Sequence, residues 1–453
     1  MFDLNTEFNK FYRQEAVLPG ESQTDLFEKG QLNLKRLGDG LSVYNEKHNT
    51  AYKICEWITQ GSIAMNTAVQ NDSKEYDIDI AIVFKKDNIG DVGPLAIKNI
   101  VAEALSYKCG QFSSEPDKKT NCVRIKYSEG YHIDFAIYRK DVDHSGNPTY
   151  YHAGSEWKKR DPKAINDWFR EKIKTYDQNL RKVIRLSKMF CKSRDEWDMP
   201  GGLIQTVLCA EQFQDAERLD ECFYNTMCKV RDRLRWNKSI NNPTDTTLSL
   251  LQTEAHKQRM EVYYNRLCSF LSKLEILKEE DCTREQAVSA WNDFFNHDYW
   301  SGLITESTTR TFALESRGVQ HMEFFDDTEQ LVEDRMQVVE SYGAHISAIA
   351  RGNGYTDHPL SYFLNQFRML PHKFSITFTC NHNVPGDVDY YWKVKNVGKV
   401  AEEKNCVRGQ VNRRARTITE NSNFYGPHYV ECYVVKNGVC VARARISVPI
   451  GNK

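Results

Sequence analysis

Asp77 and Asp79 stand two residues apart in YDIDIAIVF, and a third carboxylate, Asp134, sits in HIDFAIY. If both runs are strands, alternation turns 77, 79, 81 and 83 to one face and Ile78, Ile80, Ile82 and Phe84 to the other. The apolar face can pack on helices. The opposite face then carries clustered carboxylates whose mutual repulsion calls for a cation. In HIDFAIY, Ile133, Phe135 and Ile137 turn inward and Asp134 outward, so as sheet neighbours the two strands gather three hard oxygen ligands. Such ligands select magnesium, or manganese in its place, over zinc. Two such ions can activate an attacking hydroxyl and steady a leaving pyrophosphate. The chemistry this predicts is nucleotidyl transfer, with Asp77, Asp79 and Asp134 as metal ligands and catalytic carboxylates.

Asp-x-Asp alone is commonly just solvated, so its context matters. Upstream lies QGSIAMNTAV, where Gly61 lets the backbone approach a phosphate and Ser62 adds a hydroxyl at a helix start. An ordinary helix cap is the plainer account of that pair. Gln60, just before it, is a further candidate for a terminal phosphate contact. In LRKVIRLSKMF, Arg181, Arg185 and Lys188 recur at i, i+4 and i+7, which puts them on one helix face. That face is either solvated or turned toward the several charges of a triphosphate. Trp157, Trp168, Trp197, Trp236, Trp291 and Trp300 could stack on a base, although most aromatics of this kind belong to a core. Tyr150 and Tyr151 are undecided on the same ground.

The elements that must hold these residues follow from periodicity. Leu26, Leu32, Leu34, Leu37 and Leu41 form a helical pattern over about 20 to 50, ending before a β-like run from Cys55 to Gln60. The aspartate runs read as mixed sheet. From Asp161 to about Trp300 the pattern is helical, broken at Pro200-Gly201-Gly202 and Asn242-Pro243. A polar connector with one helix, Thr328 to Ile349, is expected next. From Phe374 onward β runs return, and Lys436-Asn437-Gly438-Val439 is a hairpin signal, because Asn-Gly accepts the positive φ angles of a type I′ turn. The expected division is 1-160 catalytic core, 161-310 helical lobe completing a cleft, 311-365 linker with helix, and 366-453 C-terminal β domain.

Bulk properties exclude several classes. At 453 residues the chain exceeds what one core usually sustains. Lys plus Arg total 61 against 62 Asp plus Glu, so no global field draws it to nucleic acid or a membrane. Thirteen cysteines without CxxC pairs fit neither a disulfide framework nor a zinc site, and point to reduced, cytosolic thiols. No window approaches the ~18 apolar residues of a membrane span, and the N-terminal stretch has no signal-peptide core.

A Gly-Ser pair, a short helix, Asp-x-Asp on a strand and a third Asp on a later strand resemble the polymerase-β-like nucleotidyltransferase superfamily. QGSIAMNTAV with EYDIDIAIVF, then DPKAINDWF, LRKVIRLSKMF and MPGGLIQTVLCAE, resemble more narrowly the bacterial CD-NTases related to cGAS and DncV, over about residues 30 to 300. YYWKVKNVGKVA, RGQV and HYVECYVVKNGVCVARARISVPI resemble the adenylyl/guanylyl and SMODS C-terminal sensor domain. The resemblance implies an α+β fold, a polymerase-β-like nucleotidyltransferase with mixed sheet and helical lobe followed by a small all-β domain. It implies two Mg2+ ions and nucleoside triphosphates, ATP first among them, bound through Gln60, Gly61, Ser62 and Lys188. A serine common after the family's proline is replaced here by Gly201-Gly202, where backbone amides could substitute. The implied product is a cyclic di- or trinucleotide with AMP in it, read by a downstream effector in the antiphage signalling called CBASS. No obligatory nucleic acid or membrane is involved, the setting is the bacterial cytoplasm, and a ligand or regulatory partner is expected on the C-terminal domain. The alternatives are a transferase acting on an RNA end or a protein, and a non-catalytic sensor.

Overall fold

The computed structural model describes residues 1–70, 76–108, 115–128, 130–304, 330–340, 342–352, 354–367, 369–397, 401, 407–423 and 425–451. These form two compact units, one of Met1–Pro19 with Leu26–His321 and one of Gly20–Asp25 with Met322–Lys453.

In the first unit, helix α1 (Asn5–Phe11) and the part of α2 (Gly20–His48) from Leu26 onward precede β1 (Ile54–Gln60) and the single turn α3 (Gly61–Ala64). There follow β2 (Asp77–Lys85), α4 (Lys86–Ile89), α5 (Pro94–Ser106), β3 (Asp117–Lys118), β4 (Val123–Lys126), β5 (His132–Val142), β6 (Pro148–Ala153) and β7 (Trp157–Lys159). The strands make one mixed sheet of order β1-β2-β5-β4-β3, with β6 and β7 continuing from β5. One face is the apolar set read from the sequence. Ile78, Ile80, Ile82, Phe84, Ile133, Phe135 and Ile137 bury against Leu26, Leu37 and Leu41 of α2 and Ile97, Val101 and Leu105 of α5. This burial, worth about 1.5–3 kcal/mol per large side chain, fixes the strand register and so the direction of every aspartate. Gly40 permits α2 to touch α5, since a Cβ there would overlap the carbonyl of Ala104.

The helical lobe comprises α6 (Ala164–Cys191), α7 (Gly202–Gln212), α8 (Leu219–Trp236), the hairpin β8 (Asn241–Asn242) and β9 (Asp245–Ser249), α9 (Glu254–Lys273) and α10 (Arg284–Phe295). Helix α6 is interrupted at Asp177, whose φ is +56°. The N-terminal helix α1 also belongs to this lobe. Phe8 packs edge-on against Trp291 at 4.5 Å between ring centroids, and Tyr299 donates to the carbonyl of Glu7 at 2.9 Å. Trp291 and Trp300 are fully buried, whereas Trp236 is 84 % exposed.

The second unit is a β-sandwich. Its strands are β10 (Gln337–Val338), β11 (Ala344–Gly352), β12 (Tyr355–Pro359), β13 (Phe374–His382), β14 (Asp389–Lys395), β15 (Arg408–Arg414), β16 (Thr417–Asn421), β17 (Gly426–Lys436) and β18 (Val439–Ile450), with helix α11 (Leu360–Phe367) between β12 and β13. Sheets of order β10-β18-β17-β14-β15 and β12-β11-β13-β16 share a core that includes Phe378, Trp392, Cys432 and Val434. Asn437 and Gly438 both take positive φ, +52° and +78°, so the β17–β18 hairpin is the one its Asn-Gly pair specifies. On the other face of the larger sheet, Glu431 is flanked in register by Lys393 and Arg445. Lys393 Nζ lies 2.5 Å and the Tyr433 hydroxyl 2.6 Å from Glu431 Oε2.

Two expectations are corrected. The helix expected over Thr328 to Ile349 is absent: 305–329 lie outside the described residues, Val332–Asp334 is a single 3-10 turn, and 344–352 is strand β11. Nine residues of β11 pair with β13, and that ladder outweighs the weak helical pattern. The β unit therefore starts well before 366, and among the described residues the α-helix that begins within 311-365 is α11, inside the sandwich unit. The eleven described cysteines are all free thiols. Among the described residues, no helix is long and apolar enough to cross a membrane.

Candidate active site

Strands β2 and β5 run parallel with Asp79 beside Asp134 and Asp77 beside His132. The three aspartates thus meet on the sheet face opposite the α2–α5 layer. They are unequal. Asp77 has an exposed side chain, Asp79 is partly buried, and Asp134 is 8 % exposed. Burial, together with the charges of Asp134 and Asp77, pushes the Asp79 carboxyl up to about 7. Among the described residues the counter-charge acting on Asp79 is Arg124, which also explains the posture of Asp134. Arg124 lies opposite Asp134 in the antiparallel β4–β5 pair and forms a fork on it, Nε to Oδ1 and Nη2 to Oδ2 both at 2.7 Å. Its Nη2 also lies 3.4 Å from Asp77 Oδ1. With Asp134 drawn onto Arg124, no group of three acidic, imidazole or thiol side chains among the described residues is gathered closely enough to hold an ion. The donor set nonetheless suits a hard divalent cation, because Asp79 carries charge that Arg124 does not neutralise.

Gly61 adjoins this row. Its φ is +67°, and a Cβ there would overlap Asp79 Oδ2, so both backbone conformation and space demand glycine. Gln60 pairs with Asp79 across β1–β2, but its side-chain amide donates to the carbonyl of Pro162 at 2.5 Å. That amide is therefore engaged. Ser62 is the second residue of the α3 turn, its carbonyl accepting from Thr67 N at 2.8 Å.

The stripe on α6 is not solvated. Arg181 and Arg185 are 2 % and 0 % exposed and Lys188 is 6 % exposed, and all three face the turn that leaves α3. Lys188 Nζ donates to the carbonyl and hydroxyl of Thr67 at 2.9 and 2.8 Å. Burial, with repulsion from Arg185 and Lys192, pushes its ammonium down to about 7. A Cβ at Gly202 would stand 3.2 Å from Lys188 Cε and 3.5 Å from its Nζ, so the Pro200-Gly201-Gly202 turn closes over the lysine. A cavity of about 330 Å³ opens beside that turn, lined by Pro200, Leu203, Ile204, Leu250, His256 and Arg259. Of the aromatics left undecided, Tyr150 is 8 % exposed and donates to Glu56 at 3.1 Å on the aspartate face, while Tyr151 lies under the Arg139 guanidinium. Arg124 was not singled out from the sequence. The signal was present, since Arg124 and Asp134 are mirror positions about the turn between Tyr127 and Tyr131.

Comparison with known proteins identifies relatives of both domains. Residues 55–138 match the model of the nucleotidyltransferase domain of DncV-like cyclic GMP-AMP synthases, and residues 326–451 match the adenylyl/guanylyl and SMODS C-terminal sensor domain. A cyclic GMP-AMP synthase of Escherichia albertii is 23% identical over 460 residues, spanning 94% of this chain and 93% of that protein. The GTP-bound DncV of Vibrio cholerae superposes with a TM-score of 0.51 at 18% identity, covering 62% of this chain and 90% of that one. The 3′-deoxy-GTP-bound DncV of Escherichia coli gives 0.52 at 17% identity, covering 66% and 98%. The two matched domains, with a relative alike over nearly the full length of both chains, support a DncV-like CD-NTase nucleotidyltransferase followed by an adenylyl/guanylyl and SMODS C-terminal sensor domain.

Proposed function

We propose that this enzyme joins nucleoside triphosphates, ATP among them, into a cyclic di- or trinucleotide without a template, as the signal-producing step of bacterial antiphage defence. The observation that carries the reading is the β2–β5 register, which sets Asp79 beside Asp134 with Asp77 in the next row and leaves Asp79 under-neutralised. The relative from E. albertii, named for cyclic GMP-AMP synthesis and matched over nearly the full length of both chains, supports a cyclic product.

In this reading Asp77, Asp79 and Asp134 hold divalent magnesium, which when bound supplies Lewis acidity toward the attacked phosphoryl group and charge for the leaving pyrophosphate. The protein's own groups do the rest. Asp134 assists removal of the proton from the attacking hydroxyl. For that it must leave the Arg124 fork, since both of its carboxylate oxygens now accept hydrogen bonds from the guanidinium. Gly61 and Ser62 lie against the phosphates through backbone amides and a hydroxyl, and Lys188 meets the charge of the same triphosphate. The side chain of Gln60 would join them only by giving up the carbonyl of Pro162. The setting is the bacterial cytoplasm, where these substrates are plentiful, a downstream effector reads the product, and the sensor domain takes a ligand or partner of its own.

The test is incubation with each labelled triphosphate and magnesium, followed by mass spectrometry. Phosphatase-resistant cyclic products are expected from triphosphates alone. A strict requirement for added RNA or protein would overturn the reading in favour of a different acceptor, and nucleotide binding without turnover would make the chain a sensor.

A further inference from the structure

Three cations from one helix face converge on three consecutive residues. Arg181 Nε donates to the carbonyl of Met65 at 3.2 Å, Arg185 Nη2 to Asn66 Oδ1 at 3.0 Å, and Lys188 to Thr67. Arg185 is further fixed by the Tyr12 hydroxyl at 2.5 Å. Asn66 and Thr67 are themselves buried, at 4 % and 0 % exposure, and Asn66 holds a φ of +51°, a conformation that asparagine tolerates but does not prefer. Placing three like charges within two turns of one helix and burying them is unfavourable, so packing alone does not account for the arrangement. The clamped turn is the direct continuation of Gly61 and Ser62: Met65 N donates to the Gly61 carbonyl at 3.1 Å and Thr67 N to the Ser62 carbonyl at 2.8 Å. Gly61 in turn rests against Asp79.

We infer that Asn66, Arg185 and Arg181 are positioning residues that lock the segment from Gly61 to Thr67 and, with it, set Lys188 at the distance from Asp79 that a triphosphate must span. This rests on the proposed role of Gly61, Ser62 and Lys188 in triphosphate binding. Arg185 acts through Asn66 and does not touch the nucleotide. A segment freed from this clamp meets the triphosphate in many conformations, and ordering it again on binding weakens affinity.

The test uses the full chain and reads affinity for a non-hydrolysable ATP analogue, KM and kcat for ATP, and thermal stability. Asn66→Gly retains the positive φ at no steric cost while deleting the amide that Arg185 grips. Asn66→Asp keeps a short acceptor for Arg185. The expected result is a roughly tenfold rise in both Kd and KM for Asn66→Gly, with kcat within about threefold and melting temperature close to the parent. Asn66→Asp is expected to restore Kd to within about twofold of the parent. Arg185→Lys, which keeps the charge and loses the fork, is expected to match Asn66→Gly. An Asn66→Gly protein with unchanged Kd, or one whose defect Asn66→Asp does not rescue, would overturn the inference while leaving the proposed function intact. A parent protein that binds no ATP analogue would overturn both. Tight analogue binding that weakens in Asn66→Gly, with no cyclic product from the parent, would sustain the positioning role and overturn the cyclase reading. Should Asn66→Gly not fold, Arg185→Lys alone decides by the same criterion.

Discussion

Two charged clusters on sheets of this protein differ in electrostatic balance. Glu431 is buried, and burial by itself would raise its pKa. Lys393 and Arg445, with the Tyr433 hydroxyl, nevertheless hold the carboxyl below its usual value. The aspartate row has three carboxylates against the guanidinium of Arg124, and Asp79 is pushed up to about 7. The first cluster is closed and the second is short of positive charge. A balanced cluster stabilises a fold, whereas one left short by its own protein is completed by something that arrives.

The largest effect that would break this comparison comes from the row itself. Replacing Asp77 and Asp79 together with Asn should lower pyrophosphate release by about 10³-fold or more while far-ultraviolet dichroism stays unchanged. Unaltered turnover would show that the deficit of charge has no catalytic use. The closed cluster should respond oppositely: Glu431→Gln leaves the buried Lys393 charge without its carboxylate, and calorimetry should show the β unit losing about 3 kcal/mol with kcat of the folded protein retained.

A smaller effect concerns pH. Asp79 must be ionised to attract a cation, so kcat/KM for ATP should fall about tenfold per pH unit below 7. Lys188 must be protonated to meet a triphosphate, so apparent affinity should also decline above its value of about 7 in the empty enzyme. The expected profile is a bell centred close to neutrality, and a flat rate of pyrophosphate release from about pH 6 to 8 would contradict it. The smallest effect is on stability. Because the folded-state pKa of Asp79 lies above its ordinary 3.8, the folded protein binds the extra proton, and ionisation removes stability as pH rises from about 4 to 7. Asp79→Asn in metal-free buffer should therefore gain roughly 1 kcal/mol at pH 8 and nothing near pH 4, as read by thermal melting.

How legible each cluster was depends on whether its partners are close in sequence. Asp77, Asp79 and Asp134 were readable because strand alternation is local and the apolar face declares itself. The Arg181–Arg185–Lys188 face was readable as a face but not as an interior one. Its covering turn lies more than a hundred residues upstream, and nothing near LRKVIRLSKMF announces it. Strand β11 failed for a related reason: Ala344–Gly352 is weakly patterned, and its identity comes from pairing with β13 some thirty residues on. Arg124 was not singled out although a hairpin count from Asp134 leads to it, because clustered carboxylates call for a cation that arrives and not for a guanidinium on the neighbouring strand.

The packing of α1 into the helical lobe has a consequence in time. Phe8 and Phe11 find their partners, Trp291, Phe295 and Trp300, only after some 280 further residues have been made. At ribosomal speeds of about 5–20 residues per second, that interval is roughly 15–60 s. For that long two phenylalanines stay without their native cover, and the loop that finally fastens them is among the longest in the chain. Assembly of the lobe therefore waits on synthesis, and chaperones have their opportunity there.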